Sequence, residues 1–253
     1  MYLEKMMNAI DTSGLKPDAI IFTGDLADMG DSASYKTLLS VVEPVIERLG
    51  TQVIWSMGNH DNRSNFREQI LRLSPTFDEV DEVYWVGGLR IIVLDTSVVG
   101  FHHGNVTPKQ LEWLTEELSS PAPEGTILAM HHPPIPSALR LATLVELRDQ
   151  KALEAVLVGS DIRTILAGHL HYSSFSTFAG IPVSVATSSC YTQDLKYGLN
   201  VTRGQDSAQG FNLVHIYENT ILHSVVPLSG GSAVGEFVSA ERAETILSKT
   251  YEV

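Results

Sequence analysis

The chain has 253 residues, 43% hydrophobic and 19% charged, a globular composition long enough for one large α/β domain with a sizeable core. Its formal net charge is −13, from 17 basic and 30 acidic residues, with no basic stripe, so a nucleic-acid partner is not expected. A small anionic substrate would need local positive charge, which bound metal ions could supply. The lone cysteine, Cys190, excludes an internal disulfide and suits a reducing, cytoplasmic setting. No apolar run approaches the roughly 18–20 residues of a membrane span, which leaves peripheral association open.

In chain order, residues 1–14 carry Leu3, Met6, Met7 and Ile10 at helical spacing before Gly14, and the two methionines read as core-facing. "DAIIFTGD" (18–25) is a buried strand ending in Gly-Asp. A helix is expected over 32–50, with Pro44 kinking it. "QVIWSMGNHD" (52–61) is a second strand, followed by a helix over 63–73. Residues 82–97 read as a hairpin turning at Gly87-Gly88, and 107–120 as an amphipathic helix with Thr107 as cap and Pro108 in its first position. "TILAMHHPP" (126–134) and "IRTILAGHLH" (162–171) are strands, separated by a helix around 144–158. The pattern then turns to β, with turns at Gly180-Ile181-Pro182 and Glu218-Asn219. One domain is expected over 1–228, followed by a less ordered tail, 229–253, with a helix in it.

The polar residues at the strand ends form a set. Asp25 follows "IIFTG", Asn59 and His60 follow "VIWSMG", His131 follows "TILAM", and His169 and His171 follow "TILAG". In open α/β sheets ligands bind beyond the carboxyl ends of the strands, so these side chains would converge. Carboxylate, amide oxygen and imidazole together suit Mn, Fe or Zn rather than a thiolate metal. Gly24, Gly58 and Gly168 would let the backbone turn so that the next side chain faces a shared centre. Each piece alone is ordinary: a Gly-Asp after a strand is a common turn, and a strand-end histidine is commonly a satisfied surface group. The ordered series GD…GNHD…HH…GHxH is what points to a metal site.

These motifs resemble those of the calcineurin-like metallophosphoesterase superfamily. "PDAIIFTGDLAD", "GLRIIVLDTSVVGFHHG", "QLEWLTEEL", "HHPPIPS" and "GHLHYSSFSTFAGIPVSVA" are similar, more narrowly, to the bacterial class III cyclic-nucleotide phosphodiesterases. "GDLADMG" and "GNHD" depart from the protein-phosphatase pattern, an Arg-Gly after the second Asp and GNHE. The resemblance implies a four-layer α/β/β/α sandwich, an α/β fold, with two metal ions, Fe and Mn, between the sheet ends. It makes Asp25 the ligand bridging both ions. Asn59, His131 and His169 complete the second site, and His171 belongs to the first. It places His60 beside the phosphate, holding an oxygen or protonating the leaving 3′ oxygen, with Asp61 orienting its ring. Asp25, Asn59, His60 and His171 would contact substrate, a small-molecule cyclic nucleotide. Two cations can acidify a water and clamp the phosphate for in-line attack, giving 5′-AMP from cyclic AMP. A homodimer is also implied.

His132 should face the other side of its strand, as a structural or outer histidine. Asp28 reads as an outer or surface acid, and His215 and His223 as structural. His102-His103 read as solvated, although the resemblance puts their loop at the rim of the substrate pocket. The family's first motif, Asp-x-His at the end of an N-terminal strand, is absent. The expectation is a start placed too late, with an upstream strand ending in Asp-x-His, or a decayed product. The alternatives to a cyclic-nucleotide phosphodiesterase are a phosphodiesterase of other small diesters and a catalytically impaired binding or scaffold remnant.

Overall fold

The computed structural model describes residues 2–228, 230–232, 234–235 and 237–250. The most apolar runs of the sequence form its central sheet. β4 (Leu89–Leu94) and β5 (Thr126–Met130) are buried along their whole length, and β6 (Ile162–Ala167) almost so. Strands covered on both faces read as continuous apolar runs rather than as alternation. With β3 (Glu82–Val86), β7 (Ser174–Phe178) and β8 (Ile181–Val185) they make a six-stranded sheet in the order β3-β4-β5-β6-β8-β7. The four inner strands are parallel and the two edge strands antiparallel.

The pleat divides this sheet's side chains between two cores. Ile92, Leu94, Leu128, Met130 and Ile165 pack with Leu114 of α4 (Pro108–Glu117) and with Leu153 and Leu157 of α5 (Gln150–Leu157). Ile91, Val93, Ile127, Ala129 and Leu166 face the opposite way, against Ile21 and Ile54 and against Val214 and Ile216. Those partners lie on β1 (Ala19–Thr23), β2 (Gln52–Ser56) and β11 (Gly210–Ile216). β1 and β2 are a parallel pair, and β11 is paired antiparallel with β12 (Ile221–Pro227).

The outer face of the β1–β2 pair carries Phe22 and Trp55, stacked with centroids 4.5 Å apart. They belong to a third core with α1 (Tyr2–Thr12), α2 (Ser32–Leu49) and α3 (Arg63–Gln69). The order of layers is therefore helix, sheet, strand pairs, helix, the expected α/β/β/α sandwich. Met6 and Met7 are buried on α1, as their spacing predicts.

α2 keeps its expected span with Pro44 inside it, closed by Gly50 in the left-handed region at φ 64°. Several other boundaries differ from expectation. The helix expected over 144–158 is a 3₁₀ turn, Arg140–Val145, followed by the shorter α5. α3 stops at Gln69, short of the expected 73. Ile181 and Pro182 belong to β8; the turn is Ala179-Gly180, both at positive φ. A short pair, β9 (Thr192–Gln193) and β10 (Gly204–Gln205), closes the loop after β8. α6 (Ala240–Thr250) lies within the segment read as a tail, of which 229, 233, 236 and 251–253 fall outside the described residues.

Candidate metal centre

β1 ends at Thr23, and the chain turns through Gly24 (φ 95°) and Asp25 (φ 54°). Beyond β6, His169 and His171 also take positive φ, 69° and 58°. Non-glycine residues in this region carry backbone strain, which collects at functional sites. The glycines beside them serve close approach. A Cβ on Gly58 would fall 2.2 Å from Asp25 Oδ1, and one on Gly24 would fall 2.6 Å from His131 Nδ1.

Asp25, His131 and His169 are brought together. His131 Nδ1 donates to the Thr23 carbonyl at 2.7 Å, and His169 Nε2 donates to the Val145 carbonyl at 3.0 Å. Their other nitrogens, His131 Nε2 and His169 Nδ1, face each other at 3.2 Å, and Asp25 Oδ2 lies 3.2 Å from His131 Nε2. Three Lewis-basic atoms thus converge, each imidazole fixed from behind by a carbonyl as metal-binding histidines are. Asn59 Oδ1 is buried with no hydrogen-bond partner, while its Nδ2 lies 3.1 Å from His102 Nδ1. A buried amide oxygen left unpaired is costly unless something else binds it. The donor set, one carboxylate, one amide oxygen and imidazoles, fits a divalent or trivalent cation of the Mn, Fe or Zn kind.

Charge follows this geometry. Burial would push the Asp25 carboxyl up, but His131 beside it outweighs burial and holds it well below the usual carboxylate range. Burial lowers His131, yet Asp25 more than compensates and its net shift is upward. Burial, with the His131 charge, pushes His169 down to about 3, keeping it a neutral donor. His171 donates from Nδ1 to the Tyr191 carbonyl at 3.0 Å. Burial acts to lower it, but Cys190 beside it more than offsets this and raises it.

His60 and Asp61 part company. His60 Nδ1 donates to the Asp28 carbonyl at 3.0 Å, and its ring stands 5.4 Å from that of His102. The expectation that Asp61 orients this ring is not met. Its carboxylate instead accepts from the backbone N–H groups of Leu26, Ala27 and Gly58 and from the Tyr35 hydroxyl, at 2.9–3.2 Å. It pins the loops after β1 and β2 to each other, and burial lifts its carboxyl to about 6. Asp28 is exposed, as expected of an outer acid; its backbone, not its side chain, makes the shorter contact with His60. His103 is buried rather than solvated, packed on Phe101 with centroids 5.1 Å apart, whereas His102 is exposed beside Asn59.

Among the described residues, His131, His132 and His169 place nitrogen atoms within 4.8 Å of one another. His132 is nonetheless committed elsewhere: Nδ1 lies 2.8 Å from Thr96 Oγ1 and Nε2 3.1 Å from the His102 carbonyl. Beside Asn59 a cleft of about 120 Å³ is lined by Arg63, Phe77 and Val98–Gly100. Arg63 was not singled out in the sequence. It is held by Asp95 at 2.9 Å, and its other nitrogens donate to the Phe77 and Ser97 carbonyls.

A four-layer sandwich with imidazole, carboxylate and amide donors at its strand ends is the architecture of a metallophosphoesterase. More narrowly, residues 2–173 match the calcineurin-like phosphoesterase family, a family of hydrolases, and the chain belongs to it. It is 56% identical over 248 residues to a cAMP/cGMP dual specificity phosphodiesterase of Mycobacterium tuberculosis, covering 98% of this chain and 78% of that protein. It is 56% identical over 246 residues to a probable cyclic nucleotide phosphodiesterase of Rhodococcus erythropolis, covering 97% and 82%. Among solved structures it is similar to a dimetal phosphatase from Danio rerio, with TM-score 0.66 and 14% identity over 90% of this chain and 86% of that one.

Proposed function

We propose that this chain hydrolyses 3′,5′-cyclic nucleotides, cyclic AMP to 5′-AMP among them, at a metal centre built on Asp25, Asn59, His131, His169 and His171. The observation that carries the reading is the buried, unpartnered Asn59 Oδ1, on a site whose carboxylate and imidazole donors already converge. The names of the two 56% identical relatives supply the substrate class. Cations bound there, Fe and Mn being suited to these donors, would neutralise the phosphodiester charge and make a nucleophile from water at neutral pH.

The remaining work falls to the chain's own residues. His60 is fixed at Nδ1 by the Asp28 carbonyl, so Nε2 is the nitrogen that gives a proton to the leaving 3′ oxygen. Asp61 keeps the Asp25 and Asn59–His60 loops in register. The exposed, unpaired Cys190 thiol fits a reducing, cytoplasmic compartment. No helix among the described residues is long and apolar enough to cross a membrane.

A diester panel tests the reading: cyclic AMP, cyclic GMP, glycerophosphodiesters and bis-nitrophenyl phosphate, each with Mn²⁺ or Fe²⁺ and after chelation. Metal-dependent turnover of the cyclic nucleotides is the expected result. A protein with full metal content that leaves every cyclic nucleotide intact sinks the proposal.

A further inference from the structure

His132 is fully buried, and both of its ring nitrogens have partners other than His131 and His169, although its ring lies against theirs. Thr96 Oγ1 accepts from the His132 backbone N–H at 3.2 Å, so its own hydrogen is directed to Nδ1. Nε2 faces a carbonyl, which can only accept, and therefore carries the ring proton. That carbonyl belongs to His102, in a loop closed at its base by Asn105 N–H donating to the Thr96 carbonyl at 3.0 Å. The loop folds tightly over the ring: a Cβ on Gly104 would fall 2.5 Å from His132 Cγ. Its other side supplies Val98, Val99 and Gly100 to the cleft beside Asn59, and His102 itself reaches Asn59 Nδ2.

We propose that His132 is a positioning residue for substrate: its imidazole tethers the 96–105 loop through the His102 carbonyl and so sets the wall of the cleft beside the metal centre. The proposal rests on the phosphodiesterase reading for its kinetic consequence, though not for the tether itself. A wall touches the substrate before and during reaction alike, so loosening it weakens binding uniformly and raises KM more than it lowers kcat.

Glutamine can place its Nε2 where the His132 Nε2 stands, whereas asparagine reaches only as far as Nδ1. The test therefore compares H132N with H132Q in the full chain. Three readouts are taken: metal per protein, steady-state kinetics on cyclic AMP, and hydrogen–deuterium exchange of the 98–102 amides. H132N is expected to raise KM roughly tenfold, with metal content unchanged and faster loop exchange, as loss of one buried hydrogen bond gives. H132Q is expected to restore both KM and exchange. Metal loss in H132N would make His132 a ligand and overturn the tether, as would equal behaviour of the two variants.

Should H132N not fold, T96V against T96S decides. The valine removes the hydroxyl that holds Nδ1 and so fixes the ring's orientation, which should speed loop exchange, and the serine keeps it; identical exchange in both refutes the proposal. If the wild-type chain hydrolyses no cyclic nucleotide, it is the functional reading that fails, and the exchange data still judge the tether.

Discussion

The imidazole of His60 is held by a backbone carbonyl and its side chain is 39% exposed, while it is its backbone N–H that donates to Asp25 Oδ1, at 2.9 Å. A group so placed can move a proton without holding an ion. H60A should therefore retain its metal and lose about 10²–10⁴-fold in turnover of cyclic AMP. The loss should be smaller for a nitrophenyl diester, whose leaving group needs little protonation; equal losses would remove the leaving-group role. The Asp61 contact with Tyr35 belongs to stability instead. The Tyr35 hydroxyl donates to Asp61 at 2.9 Å and accepts from Asn62 N–H at 3.2 Å, with the ring fully buried. Y35F should lower the unfolding free energy by about 1–2 kcal/mol, read by urea denaturation. The candidate site residues stand out in the sequence because each follows an apolar run. Their orientation was not legible: the Thr23, Val145, Asp28 and Tyr191 carbonyls that aim the imidazoles are backbone atoms, the same in any sequence.

Where β3, β4, α3 and α4 meet, a buried polar junction replaces apolar packing. Asp95 accepts from Arg63 Nε and from the Val80 N–H, while Asp81 Oδ1 accepts from the Asp95 N–H at 2.8 Å and Gln110 Nε2 at 2.9 Å. Removing Arg63 would leave the Asp95 charge without its partner, so R63A should cost about 3–5 kcal/mol in thermal or urea unfolding. Asp81 gives a pH dependence of definite sign. Burial raises its carboxyl to about 6, above the roughly 3.9 of an unfolded chain, so between these values the folded state binds more protons. Stability from this group is present at low pH and is lost as pH rises through about 6. Both bonds to Asp81 go to Oδ1, which asparagine keeps. D81N should therefore be more stable than wild type at pH 7–8 and equal to it near pH 4; a difference that does not change with pH would contradict this. The helices meeting here show what periodicity can tell. α4 was legible from Thr107 and Pro108, and its capping box is formed, because cap chemistry is local. The helix expected over 144–158 is instead a 3₁₀ turn and the shorter α5, in a segment with long-range contacts such as Arg140 N–H to the Leu199 carbonyl, which leave no local pattern.

At the scale of the molecule, the α/β class was legible as alternating strand and helix patterns, whereas the four-layer order came from the family resemblance. What the sequence did not carry is that β1–β2 and β11–β12 form separate pairs over the six-stranded sheet, since pairing between distant segments leaves no periodic trace. The proposed metal ligands come from both sides of that division. Asp25 and Asn59 follow strands of the β1–β2 pair, while His131 and His169 follow strands of the six-stranded sheet. A cation held by all four would join two layers that otherwise meet through apolar contacts. Binding confined to the folded state stabilises by RT ln(1 + [L]/Kd), about 2.7 kcal/mol at a hundredfold excess over Kd. For a chain of this size that is roughly a 5–10 °C rise in melting temperature. Mn²⁺ should thus raise the melting temperature of the chelator-stripped protein, and EDTA should reverse the rise. N59A and H131A should each blunt it with lower metal content by mass spectrometry, and D25A should abolish it. A melting temperature indifferent to every cation, with metal content unchanged across all three variants, would remove the metal centre from this site.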